Sequence, residues 1–289
     1  MNIKPNWIKA SAPGAESTDN VGDELSELGL NTVCREADCP NQGECWSHGT
    51  ATFMLMGSVC TRTCRFCDVD SGCPDGELDD TEPQRLREAV VRLGLDYVVL
   101  TSVDRDDLKD GGAGHFRATV EEVKSINNPP LVEGLIPDFS GDAKSLELLA
   151  ESGLEVLGHN IETVERLSPG VRDRRASYEL SLSVLDRVKQ INTGLVTKSS
   201  IMVGLGEKKR EVIAAMEDLR RVDVDIVTIG QYLRPSKEQL RVEKFWEADE
   251  LEDLKRKGEQ MGFSAVIAGP FVRSSYKAKE TFLKAKSDN

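Results

Sequence analysis

The chain has 289 residues, enough for one large domain or two ordinary ones with a buried core. Its 37 basic and 50 acidic residues give a formal net charge of -13, which argues against a protein whose main role is to bind nucleic acid. The composition, 39% hydrophobic and 30% charged, is typical of a globular protein. We expect no membrane anchoring and a cytoplasmic location, because the sequence offers neither a signal core nor an apolar run of roughly 20 residues.

The first 50 residues form the first predicted region. They are rich in Gly, Pro, Asn and Ser and show no regular hydrophobic period, so we expect an irregular extension over residues 1–50. From residue 51 onward, apolar strand candidates alternate with amphipathic helices. The predicted strands cover residues 53–59, 97–102, 131–136, 154–160, 196–203 and 226–231, and a final candidate covers 264–268.

The helix after the first strand illustrates the pattern. Thr81 and Gln84 suggest a capping box at its start, an apolar stripe runs from Leu86 to Leu93, and Gly94 ends it. Strand followed by helix, repeated about six times, implies a parallel sheet, because parallel neighbours need crossover connections. We therefore predict an α/β protein with a partial (β/α)6 TIM-like barrel over residues 51–262 and a C-terminal extension over 263–289.

The seven cysteines are clustered and odd in number, which favours metal ligands over a disulfide framework. Cys60, Cys64 and Cys67 follow the end of the first predicted strand, with three and then two residues between them. Three thiolates would bind three irons of a [4Fe-4S] cubane and leave the fourth iron open to a ligand. A zinc knuckle or buried structural cysteines are the alternatives, but zinc would need a second well-spaced pair.

A second triplet, Cys34, Cys39 and Cys45, lies in the predicted extension. Three cysteines within twelve residues favour a separate cubane, which would also lack one ligand. That ligand would be Cys73, a distant residue or the substrate. Two classes of protein remain open at this point: a two-cluster electron-transfer protein, and an enzyme that uses its second cluster in chemistry.

The spacing of Cys60, Cys64 and Cys67, with the aromatic Phe66 before the last cysteine, resembles the signature of the radical S-adenosylmethionine superfamily. The resemblance implies that the open iron chelates the amino and carboxylate groups of S-adenosylmethionine. Electron transfer into the sulfonium would then give methionine and a 5'-deoxyadenosyl radical. These three cysteines are thus the expected catalytic cluster ligands.

The pair of triplets also resembles the lipoyl synthase family, together with six further stretches in the same order. Those stretches are residues 101–108, 110–113, 159–164, 202–207, 230–235 and 273–276. The resemblance runs from about Lys4 to Ala278. It implies two [4Fe-4S] clusters, and the radical insertion of two sulfur atoms at C6 and C8 of a protein-bound octanoyl-lysine. Another radical sulfur-inserting enzyme with a different substrate is the alternative.

By the same resemblance, Ser275 in the Arg-Ser-Ser-Tyr stretch is the fourth ligand of the cluster on Cys34, Cys39 and Cys45, which would be consumed as the sulfur source. An alkoxide is a hard and unusual iron ligand, which would suit a labile position. The residues alone favour another role for Ser275, that of N-cap for a helix in the tail.

The resemblance further implies contacts with S-adenosylmethionine. Asn160 and Glu162 would bind its methionine or ribose part, and Arg174 and Lys198 would supply positive charge for its carboxylate. The plain alternative makes Arg174 a surface charge and Glu162 a residue at a helix start. Ser200 stands where the family usually has glycine, and it would be strained if that position needs a positive φ.

The implied partners are octanoylated lipoyl carrier proteins, namely the lipoyl domains of 2-oxoacid dehydrogenase E2 subunits and the H protein of glycine cleavage. An electron donor such as flavodoxin or ferredoxin is also implied. Asp104–Asp107 would ordinarily be a solvated charged loop, but the resemblance makes it a candidate for facing the substrate.

Overall fold

The structure is a computed structural model that describes Pro5 and residues 22–36, 41–47 and 50–287. The chain divides into two compact units. The N-terminal unit comprises Ala12–Arg62 and Val69–Leu157, and the C-terminal unit comprises Met1–Ser11, Thr63–Asp68 and Gly158–Asn289. Cys60 therefore belongs to the N-terminal unit, and Cys64 and Cys67 belong to the C-terminal unit.

The described residues of the N-terminal unit form short and medium strands and several helices. Its strands are β1 (Asn31–Thr32), β2 (Thr50–Leu55), β3 (Val59–Cys60), β4 (Asp70–Ser71), β5 (Tyr97–Ser102) and β6 (Leu131–Leu135), and β7 (Val156–Gly158) lies at its end. Its helices are α1 (22–27), α2 (Val33–Glu36), α3 (Gln42–Ser47), α4 (Glu82–Leu93), α5 (Ala113–Lys124) and α6 (Ala143–Ala150). β2, β5 and β6 pair in parallel, β1 is antiparallel to β2, and β3 and β4 form a separate parallel pair.

The C-terminal unit repeats the alternation of helix and strand. Its elements are α7 (Ser168–Val171), α8 (Tyr178–Ile191), β8 (Val196–Val203), α9 (Lys209–Arg221), β9 (Ile226–Gln231), α10 (Ala248–Gln260), β10 (Ala265–Gly269) and α11 (Ala278–Ser287). β8, β9 and β10 pair in parallel. The repeats of parallel strand and helix in both units confirm the predicted α/β class and are the building blocks of a partial barrel.

The hydrophobic core of each unit lies between strands and helices. In the N-terminal unit the strand residues Phe53 and Leu100 and the helix residue Phe116 are fully buried. In the C-terminal unit, Val227 in β9 and Leu254 in α10 belong to one buried cluster. Among the described helices, none combines the length and the apolar character that crossing a membrane would require.

The predicted strands at 97–102, 196–203 and 226–231 have the observed bounds, but the first strand ends sooner than predicted. β2 stops at Leu55 because Met56 and Gly57 adopt positive φ angles of 66° and 88°. The Met56 N–H donates to the carboxylate of Glu82 at 2.9 Å instead of continuing the sheet. The apolar run therefore breaks, and Cys60 lies on the separate strand β3.

The prediction for α4 was right about its apolar stripe and its end, but wrong about its start. Leu86 and Val90 are buried, and Gly94 ends the helix with a left-handed φ of 60°. Thr81 makes no side-chain cap, because its hydroxyl donates to Asp79 Oδ1 at 2.6 Å.

The described part of the N-terminal extension contains regular structure, namely α1, α2, α3 and β1. Leu25 and Leu30 are buried, and Thr32 of β1 pairs with Phe53 of β2. Burial of these leucines and pairing with β2 thus order this segment within the N-terminal unit. Cys39 lies outside the described residues.

Gly204 allows the chain to turn tightly after β8, and its replacement tests this packing. Its φ is 111°, and a Cβ atom there would lie 2.2 Å from Gln231 Nε2 and 2.7 Å from the Lys244 carbonyl oxygen. We expect Gly204→Ala to lower the free energy of unfolding by about 2–4 kcal/mol, since it combines backbone strain with overpacking. Urea denaturation would measure the loss.

Gly194→Ala is the matched control for this substitution. Gly194 has no positive φ, and its nearest neighbour would be Asn192 Oδ1 at 3.6 Å, an ordinary contact. Equal unfolding free energies for the two variants would contradict the packing argument.

Candidate functional site

Cys60 is fixed by the backbone of the N-terminal unit. β3 pairs with β4, and the Gly72 N–H donates to the Cys60 carbonyl at 2.9 Å. The Arg62 N–H lies 3.4 Å from the Cys60 sulfur, and the carboxylate of Asp104 lies 3.9 Å from it. Pairing of the β3 backbone with β4 thus sets the direction of the Cys60 side chain.

Arg62 forms a buried ion cluster with three aspartates. Its side chain is 3% exposed, and its guanidinium contacts Asp104 at 3.2 Å, Asp106 at 2.9 Å and Asp138 at 2.6 Å. Burial by itself would lower the pKa of Arg62, but the bonds to Asp138 and Asp106 outweigh it and raise the pKa. A charged Arg62 therefore ties the cysteine motif to the segments that follow β5 and β6.

The electrostatic surroundings of Cys60 favour the thiol in the metal-free protein. Burial raises the pKa of Cys60, and the negative charge of Asp104 raises it further. A thiolate at this position therefore needs a compensating cation. Bound iron would supply it, because coordination deprotonates a cysteine ligand.

The loop Thr63–Asp68 of the C-terminal unit is anchored from two sides. Asp173 accepts hydrogen bonds from the N–H and hydroxyl of Thr63 at 3.0 and 3.1 Å. On the other side, the Leu240 N–H donates to the Arg65 carbonyl at 3.0 Å, and Gln239 Nε2 donates to the Cys67 carbonyl at 3.1 Å. These backbone contacts fix the loop independently of its thiols.

Cys64 and Cys67 carry half-exposed side chains in this loop. The Asp173 N–H donates to the Cys64 sulfur at 3.3 Å. Phe66 points into a small apolar cluster with Val171 and Tyr232. Backbone N–H groups directed at cysteine sulfurs are a means of tuning an iron–sulfur cluster, so this donor set fits such a cluster chemically.

A polar group lies at the end of β7 and around Glu162. Asn160 Nδ2 donates to Glu162 Oε1 at 3.1 Å. Burial raises the pKa of Glu162, although the charge of Arg172 and the bond from Asn160 oppose it. Glu162 also has a φ of 66°, a left-handed backbone that is uncommon for this residue type. Such strained residues concentrate at functional sites.

Arg172, rather than Arg174, is the arginine beside Glu162. Arg172 is 7% exposed and donates to Ser181 Oγ at 2.8 Å, whereas the side chain of Arg174 is exposed. The structure thus does not bring Arg174 into this group. Lys198 is in β8 at 2% exposure, and its carbonyl accepts a bond from the N–H of His159 at 3.0 Å.

Ser200 is not strained. It lies in the regular part of β8 opposite Thr228, and its φ is not positive. The Thr228 hydroxyl donates to Ser200 Oγ at 2.8 Å. The strand therefore accommodates a side chain here, and the departure from glycine adds a cross-strand hydrogen bond.

The Arg-Ser-Ser-Tyr stretch crosses the C-terminal end of β9. A Cβ atom on Gly230 would lie 2.0 Å from the Val272 carbonyl oxygen, so only glycine allows this approach. Arg273 Nη1 donates to the Gln231 carbonyl at 3.3 Å. Ser275 is half-buried and precedes α11 by three residues. Lys277, with a φ of 50°, directly precedes the helix, which does not favour Ser275 as the N-cap.

The described part of the second triplet lies in the N-terminal unit. Cys34 is 7% exposed in α2, and Cys45 is half-exposed in α3. Across the described residues, no three His, Cys, Asp or Glu side chains are arranged to hold a single metal ion. Cys73, outside both triplets, is exposed, with its sulfur 3.2 Å from Asp75 Oδ1.

Sequence reasoning missed the residues that position the motif. Arg62, Asp138, Asp173 and Gln239 all hold the cysteine segments in place, and Arg172 Nη1 donates to the carbonyl of Ile161, the residue before Glu162, at 3.5 Å. The position of Arg62 between two cysteine ligands was the one available signal. The other contacts join distant segments, which no local pattern reveals.

The comparisons with known proteins agree on one superfamily. A profile of the radical SAM superfamily matches residues 54–219. A lipoyl synthase of Halorhodospira halophila is 56% identical over 275 residues, which cover 95% of this chain and 82% of that protein. A lipoyl synthase of Pyrobaculum calidifontis is 52% identical over 282 residues, covering 97% of this chain and 96% of that protein.

Solved structures show the same fold at low sequence identity. Methylornithine synthase aligns with a TM-score of 0.56 and 16% identity over 85% of this chain and 77% of its own. The FeFe-hydrogenase maturase HydG from Carboxydothermus hydrogenoformans aligns with a TM-score of 0.56 and 12% identity over 93% of this chain and 78% of its own. At these identities the likeness is one of fold.

Replacement of Arg62 tests whether the ion cluster holds the motif. We expect Arg62→Met to lower the free energy of unfolding of the metal-free protein by about 3–5 kcal/mol, because it leaves the buried carboxylate of Asp138 without its cation. Adding Asp138→Asn should recover part of the loss. Urea denaturation of the single and double variants would measure both effects.

Arg65→Met is the control within the same motif. Arg65 is exposed, and its guanidinium donates to the Gly170 carbonyl at 3.0 Å. Its loss should cost less than about 1 kcal/mol. A cost equal to that of Arg62→Met, or a further loss on adding Asp138→Asn, would show that the ion cluster does not stabilise the fold.

Proposed function

The chain belongs to the lipoyl synthase family of the radical SAM superfamily, and we propose that its two cysteine triplets hold two clusters with separate tasks. Lipoyl synthase inserts sulfur at unactivated C–H bonds of an octanoyl chain bound to a protein lysine. Acids, bases and nucleophiles in a polypeptide do not attack such bonds, so a cofactor must supply the reactivity. The single observation that carries this assignment is the identity of 56% and 52% to two lipoyl synthases over 95% and 97% of the chain.

Cys60, Cys64 and Cys67 are the ligands of the [4Fe-4S] cluster that binds S-adenosylmethionine. When held by Cys60, Cys64 and Cys67, this cluster would supply the electron needed for radical chemistry on S-adenosylmethionine. The backbone N–H groups of Arg62 and Asp173 point at the sulfurs of Cys60 and Cys64 and support this assignment. The anchored loop would keep Cys64 and Cys67 in place before the cluster is inserted.

The polar group around Glu162 is the proposed site for the polar parts of S-adenosylmethionine. The carboxylate of Glu162 and the amide of Asn160 can accept and donate hydrogen bonds to its amino or ribose groups. Lys198 and Arg172, both buried cations, are the residues proposed for its carboxylate. The exposure of Arg174 favours its neighbour Arg172 for this role.

Cys34, Cys39, Cys45 and Ser275 are the proposed ligands of the second cluster, the sulfur source. Two features support Ser275: the Arg-Ser-Ser-Tyr stretch is anchored at Gly230 and Arg273, and α11 begins three residues after Ser275. The serine is therefore held in place without serving the helix. A hard alkoxide ligand on soft iron would leave readily when sulfur is withdrawn.

The proposed partners follow from the family. The substrate is an octanoylated carrier protein, such as the lipoyl domain of a 2-oxoacid dehydrogenase E2 subunit or the glycine cleavage H protein. A flavodoxin or ferredoxin would donate electrons. We place the protein in the cytoplasm, because a reducing compartment keeps cysteine thiols available as ligands.

Replacing one cysteine in each triplet separates the two clusters. We expect the reconstituted protein to bind about eight irons per chain, as two [4Fe-4S] clusters require. Cys60→Ala should abolish formation of 5'-deoxyadenosine, whereas Cys34→Ala should retain it and form no lipoyl product. The assay is an anaerobic turnover with S-adenosylmethionine, reductant and an octanoyl-lysine peptide, analysed by mass spectrometry.

Cys73→Ala is the matched control, because this exposed cysteine belongs to neither triplet. It should retain iron content and both products. Lipoyl formation by Cys34→Ala would overturn the sulfur-source assignment. Lack of sulfur insertion by the unaltered protein would overturn the function itself.

Ser275→Ala tests the fourth ligand of the second cluster. We expect it to cleave S-adenosylmethionine and to form no lipoyl peptide, with a changed electron paramagnetic resonance spectrum for the second cluster only. Ser274→Ala, one residue earlier in the same stretch, should behave like the unaltered protein. Identical spectra and product yields for both variants would argue against Ser275 as a ligand.

A further inference from the structure

The C-terminal segment carries a net positive charge, opposite in sign to the net charge of the chain. Residues 273–287 contain five basic residues and one acidic residue, in a protein whose net charge is -13. Most of these charges lie on α11. The segment is thus a basic surface on an acidic protein.

α11 has a distinct inner and outer face. Ala278, Thr281, Phe282 and Ala285 are buried on the inner face. On the outer face Leu283 is 51% exposed, and Lys284 and Lys286 are exposed on either side of it. The outer face therefore combines a large apolar side chain with positive charge, a combination that suits protein contacts better than a merely solvated helix does.

Other outer helices of the C-terminal unit neutralise their cations locally. On α10, Arg256 pairs with Asp253 at 3.0 Å and Lys255 with Glu252 at 3.5 Å. On α11, the closest acidic contact of Lys284 is Glu259, at 3.8 Å between two half-exposed side chains, and Lys286 lies over the ring of Phe282. The charges of Lys284 and Lys286 thus lie on an exposed surface.

The position of α11 connects this surface to the chemistry. Val272 and Arg273 cross the end of β9, and α11 begins three residues beyond Ser275. In parallel α/β proteins, this end of the strands carries the reacting groups. A protein held on α11 therefore lies beside the segment that contains Ser275.

We propose that the outer face of α11, formed by Leu283, Lys284 and Lys286, docks an acidic surface of the protein that carries the octanoyl-lysine. This inference rests on the proposed function, which makes the substrate a protein. The net negative charge of the rest of the chain repels an acidic carrier in most orientations. Attraction at α11 alone would select the orientation that brings the acyl-lysine next to Ser275.

The test compares two substrates and two charge-reversal variants. The substrates are an octanoylated carrier domain of net negative charge and an octanoyl-lysine peptide of zero net charge. The first variant is Lys284→Glu/Lys286→Glu. The control is Arg87→Glu/Lys144→Glu, which makes the same charge change at exposed positions of α4 and α6.

We expect Lys284→Glu/Lys286→Glu to lower kcat/KM for the carrier about tenfold or more at low salt, since steering effects of this size are typical. Its kcat/KM for the peptide should stay within about twofold of the unaltered protein, because a neutral peptide gains little from charge steering. The control should behave like the unaltered protein with both substrates. Salt at about 0.5 M should remove most of the difference, because it screens exposed charges.

Binding of a fluorescent carrier, followed by anisotropy, tests docking without turnover. The first variant should bind the carrier at least about tenfold more weakly than the control does. Equal binding by both variants, or an equal loss of activity on carrier and peptide, would overturn the docking proposal. Failure of the unaltered protein to insert sulfur into either substrate would instead overturn the proposed function, and anisotropy would still decide the docking question.

Discussion

The buried guanidinium of Arg62 is the interaction on which the N-terminal half of the site depends. One cation holds Asp104, Asp106 and Asp138, which follow two neighbouring strands, and it lies two residues after Cys60. An arrangement with more carboxylates than cations is stable only while the cation stays, because desolvated charges must be compensated. This ion cluster fixes the position of Cys60 relative to the strands that precede the aspartates. Because Arg62 binds Asp104 and Asp106, the Asp104–Asp107 run is not a freely solvated loop.

The C-terminal unit holds its cysteine loop with side-chain hydrogen bonds and close backbone approach. Asp173 and Gln239 hold the loop of Cys64 and Cys67 from either side. The charge of Asp173 is paired with Arg175 at 2.9 Å. Gly204 and Gly230 supply the space, because a side chain at either position would collide with its neighbours. The proposed cysteine ligands would therefore lie on a preorganised support, as cofactor sites require.

The proposed function needs two kinds of iron ligand, cysteine sulfur and the oxygen of Ser275. Soft cysteine sulfur suits a cluster that must persist, whereas a hard serine oxygen suits one that must come apart. The basic face of α11 adds a third element, because an acidic enzyme that acts on another protein needs a local surface that attracts it. Substrate recognition and sulfur delivery would then meet on one C-terminal segment.

The sequence by itself determined the fold class, the bounds of three strands and the cysteine motifs, because hydrophobic period and ligand spacing are local properties. It also led to the lipoyl synthase family, through motifs spread along the chain. Only the tertiary structure decided that β2 ends at Leu55, that Arg172 rather than Arg174 is buried next to Ile161 and Glu162, and that Ser200 fits its strand without strain. Each of these depends on a contact between segments distant in sequence, such as Met56 with Glu82. Local sequence patterns do not predict such contacts, because two distant segments come together only when the chain folds.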